Sequence, residues 1–138
     1  MAKRKPEVRM ISYGLYTPFE KGSKELPHIL EFTETVPARE GVEFGYILEI
    51  RKARGATLRF TIEHPPFRDD DGQLVPPFDG EQIINANDYQ FFLGDTLWPP
   101  VDDKTGQWTL ITEVDGETVA EKTFRITPID EPDAAGGR

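Results

Sequence analysis

The stretch Gly106–Thr127, reading GQWTLITEVDGETVAEKTFRIT, restricts the fold more than any other part of the chain. Two strand-like runs flank Asp115-Gly116, a dipeptide that favours hairpin turns because both residues tolerate positive φ. Side chains alternate along a strand, so Trp108, Leu110, Thr112 and Val114 share one face, and Ala120, Lys122, Phe124 and Ile126 share another. A plain two-residue turn would pair Val114 with Glu117 and Trp108 with Thr123, leaving Trp108 on the face opposite Phe124. A three-residue loop, Val114-Asp115-Gly116 with Gly116 left-handed, pairs Glu113 with Glu117 and brings Trp108 and Phe124 together. A single buried face needs both rings, so the sequence predicts a type I turn with a G1 bulge.

The rest of the chain repeats this strand logic. In Glu43–Arg51, Phe44, Tyr46, Leu48 and Ile50 alternate with Gly45, Ile47, Glu49 and Arg51. In Thr57–Glu63, Leu58, Phe60 and Ile62 point in. Val8 to Tyr16 is a strand whose parity breaks between Met10 and Ile11, which predicts a bulge or a change of sheet, with Gly14 a candidate bend and the strand itself a candidate edge. His28 to Thr35 reads as a strand with Leu30 and Phe32 inward, and Asp88 to Leu93 as a short strand with Phe92 opposite Tyr89, Phe91 and Leu93. Thr17 to Pro27 is a loop and Val36 to Gly41 a turn region.

Residues 64–87 carry two Pro-Pro pairs, each followed by Phe (Pro65–Phe67 and Pro76–Phe78), and proline argues against a central strand there. They flank Asp88–Leu93 on one side and the loop 94–106 on the other. The two segments are therefore expected at opposite ends of the domain unless one folds back along the sheet. With no helical window, the reading is an all-β chain: a two-sheet immunoglobulin-like antiparallel sandwich of about seven strands, with a small β-barrel as the alternative. Residues 8–127 form the domain, and 1–7 and 128–138 are expected to be disordered tails.

A chain of 138 residues suits one domain, and nine Phe, four Tyr and two Trp can fill its core. Cysteine is absent and His28 and His64 are the only histidines, which excludes disulfides, thiolate chemistry and imidazole-rich metal centres within one chain. The net charge of −9 is uneven: Lys3, Arg4, Lys5 and Arg9 against Glu7 make the first nine residues +3. Between Arg68 and Lys104 there is no basic residue, against Asp69, Asp70, Asp71, Asp79, Glu81, Asp88, Asp95, Asp102 and Asp103. Such a body repels phosphate backbones, so nucleic acid is not an expected partner. No run is apolar enough to span a bilayer, and the basic start is not followed by an apolar signal core. The expectation is a cytoplasmic protein of bacterial origin.

The pattern FGYILEI, then LRFTIEHPP, then GQWTLITEVDGETVAEKTFRI resembles an uncharacterised bacterial family of immunoglobulin-like domains, over residues 8–127. The resemblance implies the sandwich fold and brings no catalytic residues with it.

Few residues suggest chemistry. Placing Gly72 at the sixth position of an EF-hand loop puts Phe67 and Phe78 at its first and last ligand positions, which excludes that site. A looser calcium site could draw on Asp69, Asp71 and Asp79, with Asp102 or Asp103. The serines are Ser12 and Ser23, with no nucleophile elbow and no phosphate-binding glycine loop. His64 and His28 read as hydrogen-bonded structural histidines, and Trp108 as core. The functional expectation is a non-catalytic binding module for a protein partner, with Phe67, Phe78 and Trp98 as candidate contacts. The alternatives are a divalent-metal or carboxylate-dependent enzyme using the acidic loops, and a carbohydrate-binding module. The chain is expected to be a monomer, or a weak homodimer through an edge strand or Phe92.

Overall fold

The computed structural model describes residues 5–18 and 25–129. Nine strands follow one another: β1 (Glu7–Tyr16), β2 (Ile29–Glu31), β3 (Thr35–Pro37), β4 (Glu43–Arg51), β5 (Thr57–Glu63), β6 (Phe78–Ile83), β7 (Asp88–Thr96), β8 (Gly106–Val114) and β9 (Glu117–Thr127), with one 3-10 turn at Asp102–Lys104. They form a four-stranded sheet, β2-β1-β4-β7, and a five-stranded sheet, β3-β9-β8-β5-β6. The sheets do not join at their edges, so the fold is a sandwich rather than a barrel. Among the described residues no helix is long and apolar enough to cross a membrane.

The core lies where the inward faces of β4 and β8 meet. Phe44 wedges between Trp108 and Phe124, with ring centroids 5.5 and 5.4 Å away in edge-to-face geometry. Edge-on contacts suit the ring quadrupole, each adding about 0.5–1.5 kcal/mol beyond area burial. The Tyr46 hydroxyl and Thr112 Oγ1, both buried, lie 2.7 Å apart and tie one sheet to the other. Burial raises the Tyr46 pKa, so the phenol stays protonated at any ordinary pH.

The hairpin brings Trp108 opposite Phe124 as the buried face requires, by a different device from the expected one. Val114 pairs with Glu117 across a two-residue turn in which Asp115 and Gly116 both have positive φ, 50° and 84°. The register is corrected further along: Glu113 pairs with Thr118 but Thr112 with Ala120, so Val119 is bulged. Asp115 also explains why the turn is tight, because its Oδ1 accepts from the Thr57 amide at 2.9 Å and its own amide donates to Thr57 O at 2.8 Å.

β1 begins at Glu7, one residue before the expected boundary, and bulges between Met10 and Ser12. β2 covers its outer side only at Leu15 and Tyr16, so the rest of β1 is an edge of the sheet, as expected. Gly14, at φ 132°, admits that neighbour: a Cβ there would lie 2.0 Å from Glu31 O. The expected strand His28–Thr35 is instead two three-residue strands in different sheets. Leu30 and Phe32, expected inward, are 66% and 58% exposed. The chain leaves the first sheet between them, and Val36 takes the buried position in β3, which runs parallel to β9. The proline-rich stretch supplies β6, an edge strand beginning directly after Pro77, as proline's missing donor allows.

Replacing Phe124 by Ala is expected to cost about 3–5 kcal/mol in urea unfolding. Phe60→Ala should cost less, since Phe60 is only half-buried. Equal losses would contradict this core.

Candidate edge groove and aromatic cluster

The sandwich is open between its two long edges, β7 and β6. The cleft there has a volume of about 380 Å³ and an apolar floor of Phe60, Ile62, Phe91 and Leu93. Gln82 and Gln90 form the rim, and Glu43 and Leu26 close one side. At the far end the edges are latched: Gln82 Nε2 donates to the Tyr89 hydroxyl, and the Phe60 and Phe91 rings meet at 6.0 Å. Alternation explains the floor, since Phe60 and Ile62 on β5 and Phe91 and Leu93 on β7 are the inward residues of strands that face each other across an incompletely filled seam. A second cleft of about 370 Å³ is lined by turn residues, with Pro6, Ala53, Ala56 and Val114 set among Lys52, Arg54, Asp115 and Glu117.

The end of the groove abuts an aromatic cluster. His64 lies 4.6 Å from the Phe67 ring, 4.9 Å from Phe78 and 5.4 Å from Trp108. Its Nδ1 is 2.8 Å from Pro65 O and its Nε2 2.9 Å from Pro76 O, so both contacts are hydrogen bonds only when the ring carries both protons. The two Pro-Pro-Phe triplets therefore close on one histidine, each giving it a carbonyl and a ring. Lys104 Nζ sits 4.7 Å over the Phe67 ring, and its carbonyl accepts from Trp108 Nε1 at 2.8 Å. The loops 64–77 and 97–105 thus meet at the same end of the domain, because β6 folds back along the sheet before β7 returns.

Asp95 stands beside this cluster. It pairs with Phe44 and follows Phe91 and Leu93 in the inward frame of β7. Burial raises its pKa to about 6, against the Thr96 amide on Oδ1 at 2.9 Å, with nearby Glu43 raising it further and His64 and Lys104 opposing. Glu43 is buried, and Thr96 Oγ1 donates to it. Glu43 and Thr96 occupy the other face of the sheet, so the two carboxylates do not converge on a common point.

Of the expected contact residues, Phe67 and Phe78 are half-buried against the sandwich, and Trp98 is 60% exposed. Phe92 is half-buried, its ring 5.1 Å from Tyr16. Asp69, Asp71 and Asp79 are not gathered: Asp69 Oδ1 accepts from the Asp71 and Gln73 amides at 2.9 and 3.0 Å, while Asp79 lies on β6. Among the described residues no three His, Asp or Glu side chains come close enough to hold an ion. Ser23 lies outside the described residues, and Ser12 Oγ is 2.7 Å from the Tyr16 hydroxyl. The groove itself was not legible as a site.

Two antiparallel sheets packed face to face, with β4 and β8 at the centre, define an immunoglobulin-like β-sandwich. The chain belongs to the family described as Domain of unknown function (DUF3859), whose pattern matches residues 4–126. An immunoglobulin-like protein from Pseudomonas aeruginosa superposes with a TM-score of 0.69 at 22% identity, covering 88% of this chain and 97% of that one. Alkylpurine DNA glycosylase AlkC from Pseudomonas fluorescens, bound to DNA containing an abasic site analog, matches with a TM-score of 0.45 at 13% identity, over 90% of this chain and 31% of that one. So low a score carries no argument. No curated protein matches the sequence.

The raised Asp95 pKa has a signed consequence. The folded state binds this proton more tightly than the unfolded chain, so the contribution of Asp95 to stability is greatest below about pH 4, falls as pH rises to about 6 and is level above. Asp95→Asn is expected to remove a decline on the order of 2–3 kcal/mol, read from urea midpoints at the two ends of that window. The same slope in the variant would reject this assignment.

Proposed function

We propose that the domain is a non-catalytic binding module that takes an extended polypeptide along the free edge of β7. The observation that supports this reading is the edge itself. β7 runs for nine residues with no proline, lysine or arginine, and pairs with β4 without a bulge. Edge strands are ordinarily guarded by such residues, by bulges or by brevity. The opposite edges, β2 and β3, have three residues each; beyond them β1 is bulged and carries Arg9, and β9 is bulged and carries Lys122 and Arg125, while β6 follows Pro77. An added strand would gain main-chain hydrogen bonds from β7, and its alternate side chains would reach Phe60, Ile62, Phe91 and Leu93. The separated placement of Glu43 and Asp95 argues against the carboxylate-dependent enzyme.

Panning a displayed random peptide library against the domain should select peptides with apolar residues at alternate positions. Amide shifts on adding a selected peptide should fall in residues 88–96 and 78–83. Shifts confined to Leu30 and Phe32, or a library that selects nothing while a saccharide or calcium produces shifts, would overturn the reading.

A further inference from the structure

We infer that the strand this edge accepts is β7 of a second copy, the two pairing antiparallel about a two-fold axis at Phe92; the inference rests on the reading of β7 as a strand-accepting edge. Register points to this occupant. Residues opposite each other in an antiparallel pair share a face of the sheet, so a strand that meets its own copy must pair about a residue rather than between two. About Phe92, all nine residues of β7 find a partner. About Phe91 or Leu93, only residues 88–94 or 90–96 do.

The side chains match in the full register. Phe91 faces Leu93 of the second copy on the inner side, and Phe92 faces its equivalent on the outer side, with Ile47 next to it on β4. The exposed Gln90 faces Gly94, which has no side chain to obstruct it. Towards the ends Tyr89 faces Asp95 and Asp88 faces Thr96, so no carboxylate meets a carboxylate. Asp88 is also countered within its own chain by Arg51 Nε at 3.3 Å. The pairing is therefore apolar at its centre and polar at its rim, as specific interfaces are. About Leu93, Asp95 would instead face the Phe91 ring, and about Phe91, Gln90 would face Phe92.

Closure favours a second copy as well. The axis stands normal to the sheet, giving one continuous sheet in the order β2-β1-β4-β7-β7-β4-β1-β2. Both five-stranded sheets then lie on the same side of it, and the two open seams meet. Each copy uses up the other's unguarded edge, so assembly along this edge stops at the dimer. The net charge of −9 on each copy opposes approach from a distance, so association should tighten as salt rises.

The test uses the whole chain at physiological salt. Sedimentation velocity up to about 1 mM should show a monomer–dimer equilibrium, with amide shifts on concentration confined to 88–96 and 78–83. In a mixture of labelled and unlabelled wild-type chains, isotope-filtered spectra should show contacts between Phe91 of one copy and Leu93 of the other. The chain has no cysteine, so Phe92→Cys carries a single thiol. Its two Cα atoms would lie about 4.5–5.5 Å apart across the axis, within disulfide range. Gln90→Cys would be separated by the rise from 90 to 94, roughly 14 Å, and lie out of range. Under mild oxidation Phe92→Cys should cross-link at least about tenfold faster than Gln90→Cys.

A chain that stays monomeric to about 1 mM overturns the inference. If a library-selected peptide then shifts residues 88–96, the edge reading stands with a different occupant; if none does, that reading fails too. Self-association whose shifts lie in β1, or at Leu30 and Phe32, overturns pairing through β7. Cross-linking of Gln90→Cys as fast as Phe92→Cys, with no filtered contact between Phe91 and Leu93, overturns the two-fold at Phe92.

Discussion

The placing of Phe44 between Trp108 and Phe124 is the contact on which the rest of the sandwich depends. It joins the central strand of one sheet to the two strands of the hairpin in the other, and the Tyr46–Thr112 hydrogen bond ties the same sheets further along β4. Large rings meeting edge to face leave little freedom for the sheets to slide, because interiors pack at crystal density. With β4 and β8 inside the two sheets, each sheet ends in two terminal strands. β6 and β7 face each other on one side, and β2 and β3 on the other.

These two sides are finished differently. On the β2/β3 side the strands are short and their flanks are propped by side chains: the Phe32 ring meets Tyr13 at 5.5 Å, and Lys122 Nζ lies 4.0 Å over the Tyr13 ring. On the β6/β7 side the strands are longer, the floor between them is apolar, and Gln82–Tyr89 and Phe60–Phe91 bridge the gap. The His64 cluster stiffens the open end of this seam without filling it. Folding the proline-rich loop onto one imidazole brings the Pro65 and Pro76 carbonyls to its two ring nitrogens, and lets Phe78 pack against His64 and Phe67 against His64 and Trp108.

Much of the fold follows from alternation. Phe44, Tyr46, Leu48 and Ile50, then Leu58 and Ile62, then Trp108 and Leu110 are buried as the period of two requires. The expected hairpin was right in outcome, since Trp108 and Phe124 do share a face, and wrong in device. A buried aromatic pair demands a one-residue correction of register, but the sequence contains nothing that places it at Val119 rather than in the turn. Leu30 and Phe32 were misread because alternation reports which side chains share a face, and not whether any sheet lies against it. The Pro-Pro-Phe triplets were visible as a motif, yet their common purpose required knowing that His64 would stand between them.

By itself the sequence determined the all-β class, the family, the strands that fill the core and the acidity of the segment from Asp69 to Asp103, because each of these is set by local periodicity, composition or pattern. The tertiary structure alone decided which strands became edges, that β6 returns along the sheet so that two distant loops meet, that Asp95 is half-buried near His64, and that an apolar seam stays open along β7. Those features depend on contacts between residues far apart in the chain, and the strand order that creates them is fixed by how two whole sheets pack.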